Sequence, residues 1–437
     1  MHRIRVLILP FAGILLAGGP LEAQDADPAE RWNIHFQATT IGQHHGDFPA
    51  LYSGPNSLPA HAENRASLTV TVFLTYRVNS WTELVFDPEI AGGKGFGEVT
   101  GIAGFTNGEI PRVASATPAL YPARGYVRNT FALGPETEAA EGGPNQLAGA
   151  APVRRLTVVT GRFAITDYFD NNSYSHDPRR QFMNWSLMSN GAWDYPADTR
   201  GYTIGSMQEL AMQQWSLRTA VVMEPTEANG PVFDTRLAKN RGTAVEGERR
   251  YRPFGHPGGL RVLGFLNRER AGTFRQAILP DGTTDLAATR RPGTKKYGFG
   301  WNLEQEIASG LGVFARYGWS DGRTEAWAFT QIDRSLSGGV VIPGRLWKRR
   351  GDTIGAAAVR NYLSGDDRRY LAAGGLGFII GDGRLNYAPE SIAETYYAWQ
   401  ATRQWTFTLD YQRVANPAYN RDRGPVSVAS LRVHWER

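Results

Sequence analysis

The feature that most constrains the fold is an alternation of apolar and polar residues with a period of two, repeated in segments of about ten residues along the chain. In the segment 297–308, Tyr297 and Phe299 share one face, while Asn302 and Glu304 share the other. Beyond the first 23 residues, no apolar stretch approaches the roughly 18 residues of a membrane helix. The chain is therefore either a soluble β-protein or a membrane protein whose apolar surface is hidden from averaged hydropathy by this alternation.

A soluble β-sandwich also alternates, so two further features are needed to separate the classes. The apolar faces end in aromatic residues such as Trp319, as in the aromatic girdles of membrane barrels. The polar faces carry glycine and charge, for example Glu304, Arg316 and Asp410, which suits a water-filled lumen. The pattern favours an all-β fold, namely a transmembrane antiparallel β-barrel.

Sixteen candidate strands can be assigned along the chain, and an even number returns the C-terminus to the side where the chain began. The predicted strands are 32–42, 66–77, 80–87, 124–133, 154–165, 201–212, 214–224, 259–268, 296–307, 310–319, 329–342, 351–362, 373–381, 391–401, 404–413 and 425–435. We expect long extracellular loops at 43–64, 88–123 and 166–200, folded into the lumen to narrow it. The same count places two long connections, 134–153 and 270–295, on the periplasmic side and the short turn near Ser309 outside.

The first 23 residues predict a signal peptide. Arg3 and Arg5 precede the apolar stretch "VLILPFAGILLA", and Ala23 offers a small residue for cleavage. Residues 24–437 then form a single barrel domain exported to the bacterial outer membrane, in contact with its lipid. The chain has no cysteine, and its formal charge of +5 comes without the run of Lys and Arg that grips nucleic acid.

The segment 166–200 combines acids, amides, arginines and tryptophans, which is the chemistry of a sugar-binding surface. Its polar groups hydrogen-bond hydroxyls and its rings stack on sugar faces. The candidate lining residues in this loop are Asp167, Asp170, Asn171, Asn172, Arg179, Arg180, Trp193, Asp194 and Arg200. The competing interpretation is structural, with Asp177–Pro178 and Tyr195–Pro196 as turns and the Asp and Asn side chains capping backbone groups.

Strand parity predicts a second set of candidates on the wall of the lumen. These side chains are Glu83, Arg162, Glu209, Arg218, Glu304, Glu306, Arg316 and Asp410. Each is either a channel-lining group or a charge that pairs with a neighbour on the wall. As a group they predict a lumen of mixed charge, where facing charges set up a field that disfavours bare ions over neutral polyols.

Eight segments resemble the recurring segments of the carbohydrate-selective outer-membrane porin family, in the expected order. They are "SGPNSL" (53–58), "DPEIAGGKG" (87–95), "GIAGFTNGEI" (101–110), "GRFAITDYFDNN" (161–172), "DPRRQFMNW" (177–185), "GAWDYPADTRGY" (191–202), "GGLGFIIGDGRLNYAPE" (374–390) and "NPAYNRDRGPVSV" (416–428). The resemblance implies a monomeric or homotrimeric sixteen-stranded barrel for passive uptake of monosaccharides and small oligosaccharides.

The sequence offers little support for an enzyme or for a cofactor-binding site. No pair of carboxylates has the setting of a glycosidase, and His44–His45 lacks a third metal ligand nearby. The glycines of 92–101 do not lie between a strand and a helix, so a nucleotide fingerprint is rejected. We expect no enzyme activity, no metal and no cofactor. The alternative from another class is a secreted β-rich glycan-binding protein or glycosidase.

Overall fold

A computed structural model describes residues 30–109, 116–329 and 331–437. The predicted signal peptide lies outside the described residues. The strands are β1 (Trp32–His45), β2 (Glu63–Arg77), β3 (Thr82–Gly93), β4 (Ala119–Ala132), β5 (Thr137–Ala140), β6 (Gly149–Pro152), β7 (Arg155–Phe163), β8 (Thr203–Ala211), β9 (Trp215–Val222), β10 (Arg241–Tyr251), β11 (Gly258–Glu269), β12 (Thr294–Ala308), β13 (Leu311–Ser320), β14 (Arg334–Pro343), β15 (Thr353–Tyr362), β16 (Glu390–Gln400), β17 (Trp405–Ala415) and β18 (Val426–Glu436).

Within the described residues, sixteen of these strands form one closed antiparallel barrel, and β5 and β6 form a separate hairpin. Each barrel strand pairs with its neighbour in the chain, and β1 closes the barrel by pairing with β18. Closure leaves no edge strand, which a barrel in lipid requires because an unpaired backbone group in hydrocarbon is costly. The predicted fold class and strand number are confirmed.

Short helices occupy the connections. They are α1 (Trp185–Met188), α2 (Phe274–Ala277), α3 (Gly365–Ala372) and the 3-10 turns Phe96–Glu98, Ile165–Asp167, Pro253–Gly255, Ala287–Thr289, Gly344–Trp347 and Pro417–Tyr419. No helix in the described part of the chain is long and apolar enough to cross a membrane.

The two faces of the wall follow the alternation in the sequence. On β12 and β13, the rings of Phe299, Trp301 and Tyr317 are outward and pack on one another, with centroids 6.0 and 6.2 Å apart. Asn302 and Arg316, from the same strands, are 2% exposed and point inward. Exposed apolar side chains outside and buried polar ones inside are the reverse of a soluble protein and fit a barrel in lipid.

The strand count is right, but two of its members are wrong. The predicted strand 373–381 is irregular, because Gly374 and Gly381 have φ of +87° and +107° and interrupt an extended chain. The strand β10 was missed, since its outward face carries Gly247 and Arg249 where an apolar residue was expected. One false strand and one missed strand cancel in the total.

With β10 in place of the predicted strand 373–381, two connections move to the opposite end of the barrel. One end of the barrel, here called the loop end, carries eight loops, at 46–62, 94–118, 164–202, 223–240, 270–293, 321–333, 363–389 and 416–425. The other end, the turn end, carries the first described residue, Glu30, the last residue, Arg437, and the tight turn at Ser309–Gly310, where Gly310 has φ of +72°. The segment 270–293 therefore lies at the loop end and the Ser309 turn at the turn end, opposite to the prediction. The connection 133–154 stays at the turn end.

Candidate channel and its lining

Residues 164–202, here called the inner loop, enter the barrel between β7 and β8 and fill much of the lumen. Phe169, Phe182 and Trp193 of this loop are at most 1% exposed. Trp193 packs edge-on against Phe169 at 6.2 Å and lies 6.3 Å from Phe265 of the wall. The inner loop therefore has its own apolar packing against the strands, as expected for a segment that must hold a fixed shape inside a wide barrel.

Carboxylates on the wall hold the backbone of the inner loop. Glu246 on β10 accepts the N–H of Asp170 at 2.8 Å, and Glu304 on β12 accepts that of Ser173 at 2.5 Å. Glu394 on β16 accepts the N–H of Met183 at 2.6 Å and its neighbour's at 3.0 Å. Because these carboxyl groups accept from the loop backbone at several separate positions, the contacts fix the loop along its length.

Two buried arginines hold the loop from its carbonyl side. Arg316 on β13 donates to the carbonyls of Leu187 at 2.6 Å and Ser175 at 2.5 Å, and its Nε lies 3.1 Å from Oδ1 of Asp170. Arg432 on β18 donates from Nη1 to the carbonyls of residues 178 and 181, both at 2.7 Å. These guanidinium groups are enclosed by the loop and do not face open water.

The inner loop leaves one cavity of about 500 Å³ on the side of β1–β4. Its lining includes four arginines and four acids, and five of these eight residues belong to the inner loop. The eight residues are Glu89, Glu109, Arg124, Asp167, Asp177, Arg179, Arg180 and Arg200. Aromatic side chains complete the lining, namely Phe73, Phe105, Tyr121, Trp185, Tyr195, Tyr202 and Phe329.

Arg179 is the most heavily paired cation of the cavity. It lies 2.8 Å from Glu89 and 2.6 Å from Glu109, and it also donates to the side chains of Gln37 and Thr71. Burial opposes its charge, but Glu109 and Glu89 outweigh burial and hold its pKa above the ordinary value. Burial raises the pKa of Glu109, although Arg179 acts in the opposite direction.

Arg200 differs from Arg179 because it makes no ion pair with any described residue. Its guanidinium stands 4.0 Å from the ring centroid of Tyr121, a cation–π contact, and its Nη1 is buried without a hydrogen-bond partner. Arg124, across the cavity wall, is bound to Asp167 by two bonds of 2.6 Å. The lining therefore combines ion pairs, in which the charges of arginines and acids cancel, with Arg200, which has a hydrogen-bond donor without a partner.

The candidate residues of the inner loop divide into two groups. Asp167, Arg179, Arg180 and Arg200 line the cavity. Asp170, Asn172, Trp193 and Asp194 are at most 5% exposed and are absent from its lining, while Asn171 is half-buried and donates to the carbonyl of Asp167. Asp194 accepts the backbone N–H groups of residues 327, 328 and 329 and lies 3.1 Å from Lys296. For the Asp and Asn residues of this second group, the capping interpretation describes the geometry better than a vestibule, and Trp193 packs in the apolar core of the loop.

The candidates on the wall are also divided. Glu83, Glu209, Arg218, Glu304, Glu306, Arg316 and Asp410 lie on strand positions that face the lumen, whereas none of them lines the cavity of the inner loop. Glu83 pairs with Arg128 at the turn end, and Arg218 pairs with Glu209, Glu246 and Glu248 along the wall.

Arg162 requires a correction. The register places it opposite Gly125 and Ile204, and Ile204 is outward and 36% exposed, so Arg162 belongs to the outer face. It lies near the loop end, where it bends to Asp198 at 2.6 Å and lies 5.5 Å from the ring centroid of Tyr202. A charge is tolerated there because the rim extends beyond the hydrocarbon.

Several lining residues were missed by the sequence prediction. Arg124 and Tyr121 lie on β4, and Glu89 lies on β3 within a segment that was used only for the family resemblance. The alternation of Arg124, Tyr126 and Arg128 was an available signal, because three large polar residues at a spacing of two predict one lumen-facing row. Within the described residues, no group of three or more His, Cys, Asp or Glu could hold a metal ion.

Comparisons with known proteins show which family and which solved structures this chain resembles. The family model of the carbohydrate-selective porin, OprB family, matches residues 89–436. No curated protein matches the chain in sequence. The high-pH structure of Pseudomonas putida OprB aligns with a TM-score of 0.69 at 15% identity, covering 93% of this chain and 94% of that one.

The outer-membrane channel DcaP of Acinetobacter baumannii aligns with a TM-score of 0.52 at 9% identity, covering 93% of this chain and 97% of that one. At these identities, the two structures establish the barrel fold alone. The family model spans most of the chain, from β3 to β18. The chain therefore belongs to the OprB family of carbohydrate-selective porins, the sugar channels of the bacterial outer membrane.

Proposed function

We propose that monosaccharides and small oligosaccharides diffuse passively through the cavity between the inner loop and β1–β4, without cofactor or energy input. The observation that carries this proposal is the lining itself, in which paired arginines and acids border a space of about 500 Å³ together with aromatic rings. A sugar has donors, acceptors and apolar ring faces, and this lining offers a partner for each of them.

The charges of the lining favour a neutral solute over an ion. Arg179 and Arg124 each stand beside acids at 2.6–3.3 Å, so their donors and the acid oxygens remain available to hydroxyls while most of the net charge cancels. A bare ion that enters the cavity loses water and meets the opposite member of each pair, whereas a polyol exchanges hydrogen bonds with water for bonds with the wall. Arg200, with its unpaired nitrogen, is the group that we assign to direct contact with the sugar.

The remaining parts of the proposal concern export and assembly. We propose that residues 1–23 are removed by cleavage after Ala23, so that the mature chain starts at Gln24 and is a single outer-membrane domain. N-terminal sequencing of the protein from outer membranes tests this, and finding Met1 there would contradict it. We propose a monomer or a homotrimer, and chemical cross-linking in native membranes distinguishes the two.

Liposome swelling with a panel of sugars, amino acids and salts tests the permeation proposal. We expect wild-type protein to pass glucose and maltose faster than amino acids of similar size. Arg200→Gln should slow the sugars about 2- to 10-fold, because one or two hydrogen bonds between the sugar and a charged group are lost. Arg236→Gln is the matched control, since Arg236 is exposed on the loop 223–240 and pairs only with Asp234. Equal rates for all solutes of one size would contradict sugar selectivity.

A further inference from the structure

A second cavity, of about 490 Å³, lies inside the barrel near its turn end. It shares no lining residue with the first cavity, because it is bordered by the wall from β10 to β12, by the turns beside those strands and by the tip of the inner loop. Its lining residues include Tyr174, Gln213, Glu248, Tyr251, Arg261 and Glu304. Its volume falls within the range of about 300–1,000 Å³ that is usual for small-molecule sites.

Arg261 gives this cavity unsatisfied hydrogen-bond donors. Its Nη2 lies 3.1 Å from Glu248 and 3.0 Å from Glu304, but its Nε and Nη1 are buried and have no partner. The residue as a whole is 7% exposed. Leaving a buried donor unpaired is unfavourable, so two such groups on one guanidinium point to a bound molecule that accepts hydrogen bonds.

A tyrosine ring of the inner loop stands at the same cavity and is positioned by a glycine. The ring of Tyr174 lies on Gly312 so closely that a Cβ there would come within 2.0 Å of it. Burial, with Glu306 and Glu304 next, raises the pKa of Tyr174 to about 12, so its hydroxyl stays protonated and can donate. A fixed ring with a polar end suits a ligand that has both apolar faces and hydroxyls.

The charges decide the class of ligand. An anion attracted by Arg261 would meet Glu248 and Glu304 at once, and a cation attracted by those acids would meet Arg261 and Arg250. A neutral polyol can bond to both signs and to the amide of Gln213, which also lines the space. We propose that this cavity is a second saccharide-binding pocket, open to the turn end and separate from the permeation path.

The proposal rests on the proposed function only for the choice of sugar as ligand. Because the natural chain has no cysteine, single cysteines can report on each place in the barrel. Gln213→Cys places a thiol in the pocket, and its rate of reaction with a maleimide is measured on the full-length protein in detergent with and without maltose. Gln404→Cys is the matched control, because Gln404 is an exposed glutamine in another turn of the same end and does not line the pocket.

We expect maltose at about three times its Kd to slow labelling of Gln213→Cys about fourfold, since only the unoccupied pocket reacts. Labelling of Gln404→Cys should not change. The additional substitution Tyr174→Leu should abolish the protection and leave the single-channel conductance in salt unaltered, because Tyr174 lies outside the first cavity. A heat-modifiable band on gels verifies that each variant is a folded barrel.

Two results overturn the proposal. One is an unchanged labelling rate of Gln213→Cys up to molar maltose, and the other is protection that survives Tyr174→Leu. The outcome is distinct from that of the permeation proposal. Protection at Gln213→Cys with no sugar flux in liposomes would retain the pocket and remove the permeation proposal, and sugar flux without protection would do the reverse.

Discussion

The inner loop should be released when its buried arginine is removed. Arg316 is 2% exposed and donates four hydrogen bonds, two of them to Asp170 and one each to the carbonyls of Leu187 and Ser175. Its replacement by methionine keeps a similar side-chain length and removes every one of these donors. Asp170 would then retain its contacts to Asn302 and to a backbone N–H, without a cation beside it.

The magnitude follows from the burial of the pair. Removing one partner of a buried ion pair costs about 3–5 kcal/mol, because the other charge stays buried without compensation. At about 1.4 kcal/mol for each factor of ten, the docked form of the inner loop loses roughly 100- to 4,000-fold in population relative to undocked forms. The barrel itself should persist, since its stability comes from the closed backbone pairing of sixteen strands, which Arg316→Met does not alter.

Single-channel recording and limited proteolysis measure the effect. We expect Arg316→Met to conduct more salt with a noisier open level and to be cleaved within 164–202, while the gel band of the folded barrel remains. The double variant Arg316→Met with Asp170→Asn should recover part of the docked state, because it removes the uncompensated carboxylate. Glu306→Gln is the control, since Glu306 faces the lumen and hydrogen-bonds His256, whereas it makes no hydrogen bond to any described residue of the inner loop. Wild-type conductance and protease resistance in Arg316→Met would refute this reasoning.

Three further predictions concern the wall, the loop core and the ion preference. Val313→Arg places a charge on the lipid-facing surface at a cost of about 2–4 kcal/mol, so folded barrel in membrane extracts should fall relative to Val313→Ile, and equal yields would place Val313 elsewhere. Trp193→Ala should raise salt conductance by loosening the inner loop, at about 3–5 kcal/mol, and a change confined to sugar block would contradict its burial. Arg180→Gln should shift the reversal potential in a salt gradient toward cations, and Arg179→Gln should shift it further because Glu89 then loses its partner; identical potentials would show that neither side chain faces the ion path.

The alternation in the sequence was enough to predict the barrel because each face of a strand meets a different solvent. On β12 and β13, Phe299 and Tyr317 had to face lipid and Arg316 the lumen, and the register agrees. Arg162 was placed wrongly because the same rule holds only inside the hydrocarbon, and this residue lies at the rim, where water returns. β10 was missed for a related reason, since Arg249 on its outward face gives no apolar signal.

Strand parity could not predict the role of each charged residue that faces the lumen. Parity gives the direction of Glu304 and Arg316, but whether such a group meets water or a loop depends on which connection folds inward. That choice is made by contacts between residues more than a hundred positions apart, such as Asp170 with Asn302 and with Arg316. The sequence therefore predicted a polar lumen correctly. Which lumen residues hold the inner loop and which line the channel could be read only from the folded structure.

The position of the channel is explained by an asymmetry around the wall. From β10 to β18 the lumen side carries long charged side chains that reach the inner loop, including Glu246, Arg316 and Arg432, and the loop is held against that half. On β1 and β2 the lumen side carries mostly shorter, uncharged side chains, such as Gln37 and Thr71, and these meet the inner loop through the long side chain of Arg179. The cavity therefore opens where the wall has short neutral residues, and the arginines and acids of its lining come mainly from the loops and from β3 and β4. Lengthening the wall at Ala91, a short residue on β3 that lines the cavity, is a direct test. Ala91→Arg should narrow the cavity from the strand side and lower salt conductance without loosening the inner loop. If conductance stays at the wild-type level and the barrel is folded, the open path does not run past this part of the wall.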